Sequence, residues 1–115
     1  AIEVWNSSMT SHLSSAYGEN NTITINGGTY EGANVVNVWG KNHTITIDGA
    51  VLTSMYQPSS AYFGYCVSLL KATSCKATIK NTTLNSVHAK ALGSTTENEF
   101  VLENILRFVK AALKN

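Results

Sequence analysis

The chain has 115 residues, room for one domain with a modest core. Charged residues make up only 13% and the formal net charge is +1, which gives no reason to expect nucleic acid or an acidic membrane surface, both of which favour clustered Lys and Arg. No apolar run approaches the roughly 20 residues needed to span a bilayer.

Residues 1 to 5 alternate like a short strand, with Ile2 and Val4 on one side, and residues 6 to 21 read as a Ser- and Asn-rich loop or cap. The central feature follows. Thr22-Ile23-Thr24-Ile25-Asn26-Gly27 returns 22 positions later as Thr44-Ile45-Thr46-Ile47-Asp48-Gly49, and a period in the low twenties is one coil of a solenoid. Within the unit Ile23 and Ile25 point to one face while Thr22 and Thr24 point to the other. Gly27 and Gly49 fall where the chain turns a corner. Thr29-Tyr30 is a second short strand, Val35 to Trp39 a third, and Gly40-Lys41-Asn42 leads back to the next coil.

The second coil, Thr44 to Leu52, should lie over the first. Residues 54 to 64 have no counterpart in the first coil and read as a loop inserted at a corner. The pattern resumes with Tyr65 to Leu69 matching Asn34 to Val38, and Ala77 to Leu84 matching Ile45 to Leu52, which puts Asn81 on the glycine corner. A further strand is expected at Val87 to Ala91, with Val87, Ala89 and Ala91 inward and His88 and Lys90 outward. Cys66 and Cys75 fit neither a CxxC pair nor a zinc site; they are either bridged or buried as free thiols.

The last segment supports two readings. As a coil, Phe100 to Asn104 lies over Ala77 to Asn81. As a helix, Thr96 and Glu99 form a capping box, Glu103, Arg107, Lys110 and Lys114 share one stripe, and Val101, Ile105, Phe108 and Ala112 lie on the other side. The helix is preferred, because it would cover the open end of the solenoid. The expected fold is thus mainly β: a single domain of about three to four coils over 22–92, preceded by 1–21 and closed by an amphipathic helix over 96–114.

The repeated unit, an alternating Thr/Ile strand, Asn or Asp, Gly, a short strand, a turn and a third strand, resembles the coils of right-handed parallel β-helix proteins. These include pectate-lyase-like enzymes, bacteriophage tailspikes and tail appendages, and bacterial surface proteins. The resemblance spans about residues 22 to 92 and rests on coil pattern, with no catalytic signature. It implies a structural or binding module that is extracellular or on a virion or cell surface, with a glycan or cell-surface receptor as partner. A homotrimer is the further expectation, the apolar C-terminal stripe meeting its copies in a helical bundle. Pectate-lyase-like lyases would imply calcium-binding carboxylates on one outward face, but Asp48 aligns with Asn26 and Lys80, so no acids stack in adjacent coils.

The candidate ligand-binding residues are Tyr56, Tyr62, Phe63 and Tyr65, aromatic rings beside Asn, Gln and Ser in and next to the inserted loop; folding back over the coils or filling a subunit contact are the competing roles for them. Glu31 and Asp48 are the weak candidates for a catalytic pair, in a lyase or glycoside hydrolase, although solvated turn residues explain them more simply. Thr22, Thr24, Thr44, Thr46 and Thr78 form an outward array of the kind ice-binding solenoids carry, and threonine is also simply favoured on exposed β faces. His12, His43 and His88 lack metal-ligand spacing and read as exposed or loop residues; no metal or cofactor is expected. Ala1 in place of an initiator methionine predicts a processed or excised form.

Overall fold

The computed structural model describes residues 2–4, 18–54, 64–86 and 90–109. These form ten strands and no helix: β1 (Ile2–Val4), β2 (Thr22–Asn26), β3 (Thr29–Gly32), β4 (Val36–Lys41), β5 (Thr44–Asp48), β6 (Val51–Ser54), β7 (Val67–Thr73), β8 (Lys76–Ser86), β9 (Leu92–Ser94) and β10 (Glu99–Val109). Every pairing between them is parallel. One sheet runs β1-β4-β7-β9; the other joins β2, β5 and β8 to β6 and β3, with β10 on the far side of β8.

Register shows how the repeat builds this arrangement. Thr24 pairs with Thr46, Thr46 with Thr78, and Thr78 with Val101. Successive passes therefore lie directly on one another, even though the inserted segment lengthens the second pass. β6 keeps its place beside β3 through Ser54, so the insertion begins after Ser54. The chain rejoins the wall at Gly64, whose N–H donates to the Ala33 carbonyl at 2.7 Å. The matches of Tyr65–Leu69 to Asn34–Val38 and of Ala77–Leu84 to Ile45–Leu52 agree with the observed pairing, apart from one irregularity in β7 opposite the Asn37–Trp39 stretch.

Two columns of left-handed residues make the bends. Gly27, Gly49, Asn81 and Asn104 have φ of +73°, +77°, +50° and +57°. Asparagine replaces glycine in the later passes because its short amide tolerates this conformation and bonds locally. The Asn104 side-chain N–H donates to the Asn81 amide oxygen at 2.7 Å, and Asn81 donates to Asp48 at 2.9 Å. At the second bend Asn20, Asn42 and Ser74 have φ of +63°, +60° and +57°, and Asn42 donates to the Asn20 amide oxygen.

Between the bends the strand alternation sends Ile25, Ile45, Ile47, Leu52, Ile79 and Leu84 inward, where they meet Val36, Val38, Val67 and Leu69 of the other sheet. Each such side chain, fully withdrawn from water, contributes about 1.5–3 kcal/mol. His43, read from the sequence as an exposed or loop residue, lies between β4 and β5 and is buried, 1% exposed. Its Nδ1 accepts from the Asn21 N–H at 3.2 Å and its Nε2 lies 2.7 Å from the Trp39 carbonyl, which assigns the neutral tautomer with the proton on Nε2. Nothing in the residue's neighbours in sequence announces this burial.

The expected helix over 96–114 is wrong for the described part of that range. Thr96 and Glu97 form a turn, and Glu99–Val109 is a strand paired in parallel along β8 from Glu99↔Lys76 to Val109↔Ser86. The apolar residues satisfy both periods, but a helix would leave the β8 edge without partners, whereas the strand continues its ladder. The alternative placement of Phe100 to Asn104 over Ala77 to Asn81 agrees with the register. Lys110, Ala112, Leu113 and Lys114 lie outside the described residues. So do Val87, His88 and Ala89, most of the strand expected at Val87 to Ala91; of the remainder Ala91 is buried and Lys90 exposed, and a described strand, Leu92–Ser94, follows them.

Candidate ligand-binding face

The outward side of β2, β5 and β8 presents a regular polar surface. Thr22, Thr24 and Asn26 lie in register with Thr44, Thr46 and Asp48, and these with Lys76, Thr78 and Lys80. Parallel strands place such neighbours about 4.8 Å apart across the sheet and about 6.6 Å apart along it. All five threonines of the expected array share this face, exposed or half-buried. The rank beyond them, Glu99, Val101 and Glu103, changes character to acidic and apolar.

Hydrogen bonding around the first bend preorganises one edge of this face. Asp48 accepts from Asn81, and Asn81 in turn accepts from Asn104, so three side chains from successive passes are joined. Past the bend, Asn85 donates to the Thr53 hydroxyl at 3.1 Å. Hydroxyl, amide and carboxylate groups thus form rows whose spacing the backbone sets, a surface able to exchange hydrogen bonds with a ligand carrying repeated polar groups.

The two candidate carboxylates belong to different columns. Asp48 sits at the end of β5 between Asn26 and Lys80, while Glu31 is exposed on β3 beside Thr53. Neither has a second acid as its register neighbour. Among the described residues, no group of three or more His, Cys, Asp or Glu side chains is placed to hold a metal ion.

Of the aromatic candidates, Tyr56, Tyr62 and Phe63 lie outside the described residues. Tyr65 is half-buried and its ring lies over Gly93: a Cβ built there would stand 3.0 Å from two ring carbons. The ring therefore packs on the wall of the domain. Trp5 lies outside the described residues; for Trp39 the sequence alone supports either a core plug or an exposed stacking platform. It alternates with buried Val38 and Gly40, is half-buried itself, and carries the Lys71 ammonium 5.9 Å from its ring centroid. The alternation Val36-Asn37-Val38-Trp39-Gly40 contains that outward placement.

Cys66 and Cys75 are free and buried, so the thiol alternative holds and the bridge does not. Burial pushes the Cys66 thiol up to about 11, against hydrogen bonds that pull the other way, and Cys75 is raised for the same reason. The Cys66 Sγ–H donates to the Asn85 carbonyl at 3.3 Å; Cys75 Sγ accepts the His43 N–H at 3.3 Å. These thiols have the environment of core side chains rather than of nucleophiles.

Comparison with family models, with curated proteins and with solved structures gave no match. No helix among the described residues is long and apolar enough to cross a membrane.

Proposed function

We propose that the chain is a short right-handed parallel β-helix acting as a structural and binding module at an extracellular, virion or cell surface, with a glycan of the cell envelope as its ligand. The observation that carries this reading is the registered face Thr22, Thr24, Asn26, Thr44, Thr46, Asp48 and Thr78. A polysaccharide repeats its hydroxyl groups along one direction, and ranks of hydroxyl and amide groups at fixed spacing suit it. The inserted aromatic segment would supply a stacking surface, with Tyr62 and Phe63 as its contacts. A trimer held by a C-terminal helical bundle does not belong to this reading, since Glu99–Val109 is a strand.

The test is titration of the purified chain with a panel of neutral and acidic envelope polysaccharides, followed calorimetrically. Thr46→Tyr should weaken binding about tenfold or more while leaving the unfolding midpoint in place. Unchanged affinity would move the site to the inserted segment, where Tyr62→Ala and Phe63→Ala test it. No binding across the panel would end the glycan reading. For the lyase or hydrolase alternative, Glu31→Gln and Asp48→Asn must abolish any activity measured on the same polysaccharides.

The Thr24–Thr46–Thr78 column beside Thr22–Thr44 also favours a second reading, ice binding. Thermal hysteresis in the parent chain, lost on Thr24→Tyr and Thr46→Tyr, would establish it. A parent without hysteresis removes it.

A further inference from the structure

β10 is the last strand of its sheet. Its ladder runs to β8, and among the described residues no strand lies along its other edge. The same strand carries Val101, Leu102, Leu106, Phe108 and Val109, from 37% to 60% exposed. An eleven-residue open edge with exposed apolar side chains is a template for another strand, and the charges along it constrain which strand can pair.

The bend at Asn104 divides β10 into two arms of different charge. Glu99 and Glu103 lie on the first and Arg107 on the second. Register with β8 sets the faces: Phe100 and Leu102 follow inward Ala77 and Ile79, while Ile105 and Arg107 follow Thr82 and Leu84. Val101, Leu106 and Phe108 point outward with Thr78, Thr83 and Asn85.

We propose that the partner on this edge is a second copy of the chain, its β10 antiparallel to the first, about a two-fold axis through the Glu103–Asn104 bend. The first arm of each copy then lies against the second arm of the other. Pairing first arm with first arm about Val101 would set Glu99 opposite Glu103 of the second copy, and pairing second arms about Arg107 would set that residue opposite itself. Like charges directly opposite are unfavourable, and crossing the arms avoids both while bringing the acidic arm to the Arg107 arm. Leu102 meets Ile105 of the second copy, inward to inward, and Val101 meets Leu106, outward to outward. The bend makes this match possible, because the inward positions before and after it differ in parity. Such an interface is isologous and closes at two copies, so the apolar end is covered without further growth.

Sedimentation equilibrium on the full chain, from low micromolar to hundreds of micromolar, should show a reversible monomer–dimer equilibrium. Val101→Lys, at an outward and exposed position, should weaken it about tenfold or more with the unfolding midpoint retained. A mixture of Val101→Cys and Leu106→Cys chains should form a disulfide-linked heterodimer on mild oxidation, whereas Val101→Cys alone should not cross-link. A monomer at every concentration, a trimer, association indifferent to Val101→Lys, or efficient cross-linking of Val101→Cys with itself would each overturn the proposal.

Discussion

At the scale of single residues, the bends and the thiols bear specific consequences. Asn81 holds φ at +50° and joins Asp48 to Asn104 through its amide. Asn81→Ala puts a methyl in the left-handed region and removes both bonds, so it should cost about 1–3 kcal/mol in urea unfolding. Asn81→Gly relieves the backbone and loses only the side-chain bonds, so it should cost less than the alanine variant. The reverse order would mean that the left-handed backbone at this position does not penalise a Cβ. Cys66 makes a pH-dependent contribution whose sign follows from its raised value. The unfolded thiol ionises near 9.0 and the folded one near about 11, so the contribution is fully present below pH 9 and is lost as pH rises towards 11. The loss is about 2–3 kcal/mol, and Cys66→Ala should flatten that part of the stability profile, measured by denaturant titration between pH 8 and pH 11.

At the scale of elements, the turn between β9 and β10 explains why the last segment joins the sheet. The Asn98 amide oxygen accepts the Cys75 N–H at 2.8 Å, and the two protons of its NH2 group are shared among the Ala72 carbonyl at 2.9 Å, the Leu69 carbonyl at 3.2 Å and the Thr95 hydroxyl at 2.9 Å. One side chain thus ties the entry of β10 to β7 and to the start of β8. Asn98→Ala leaves these partly buried groups without their partner and should destabilise the domain by about 2–3 kcal/mol. Asn98→Asp keeps the acceptor but not the donors and should recover only part of the loss, read from the same unfolding curves. In the sequence, Thr96-Glu97-Asn98-Glu99 carries a helix-start pattern, and the amphipathic stripe after it reinforces that reading. Neither shows that Asn98 will be spent on carbonyls more than 20 residues away.

At the scale of the whole molecule, each pass of chain rests on the pass before it and supports the one after it, so protection should be greatest in the middle. Hydrogen exchange followed by NMR, at concentrations where the chain is monomeric, should find the slowest amides in β5 and the first half of β8, which have paired strands on both sides. The amides of β10 that face away from β8 should exchange faster. Equal protection across β5 and β10 would show that the open edge is covered. Thr46 and Val101 stand two ranks apart on the outward face, with Thr78 between them, so ligand binding and self-association should be separable by Thr46→Tyr and Val101→Lys.

The sequence by itself determined the repeating core of the domain. The doubled Thr-Ile-Thr-Ile unit, its glycine bends and the resumption at Tyr65 and Ala77 state the register, because strand alternation and left-handed backbone preference are local properties. The polar array was legible for the same reason: once the isoleucines are inward, the threonines must be outward. Only the tertiary structure decided the last segment, the inward placement of His43 and the free state of the thiols. Glu99–Val109 contains enough apolar residues for either a helix or a strand, and the unpaired edge of β8, formed by residues more than 20 positions earlier, settles the choice. His43 and Cys75 are likewise placed by partners in other passes, which neighbouring residues cannot announce.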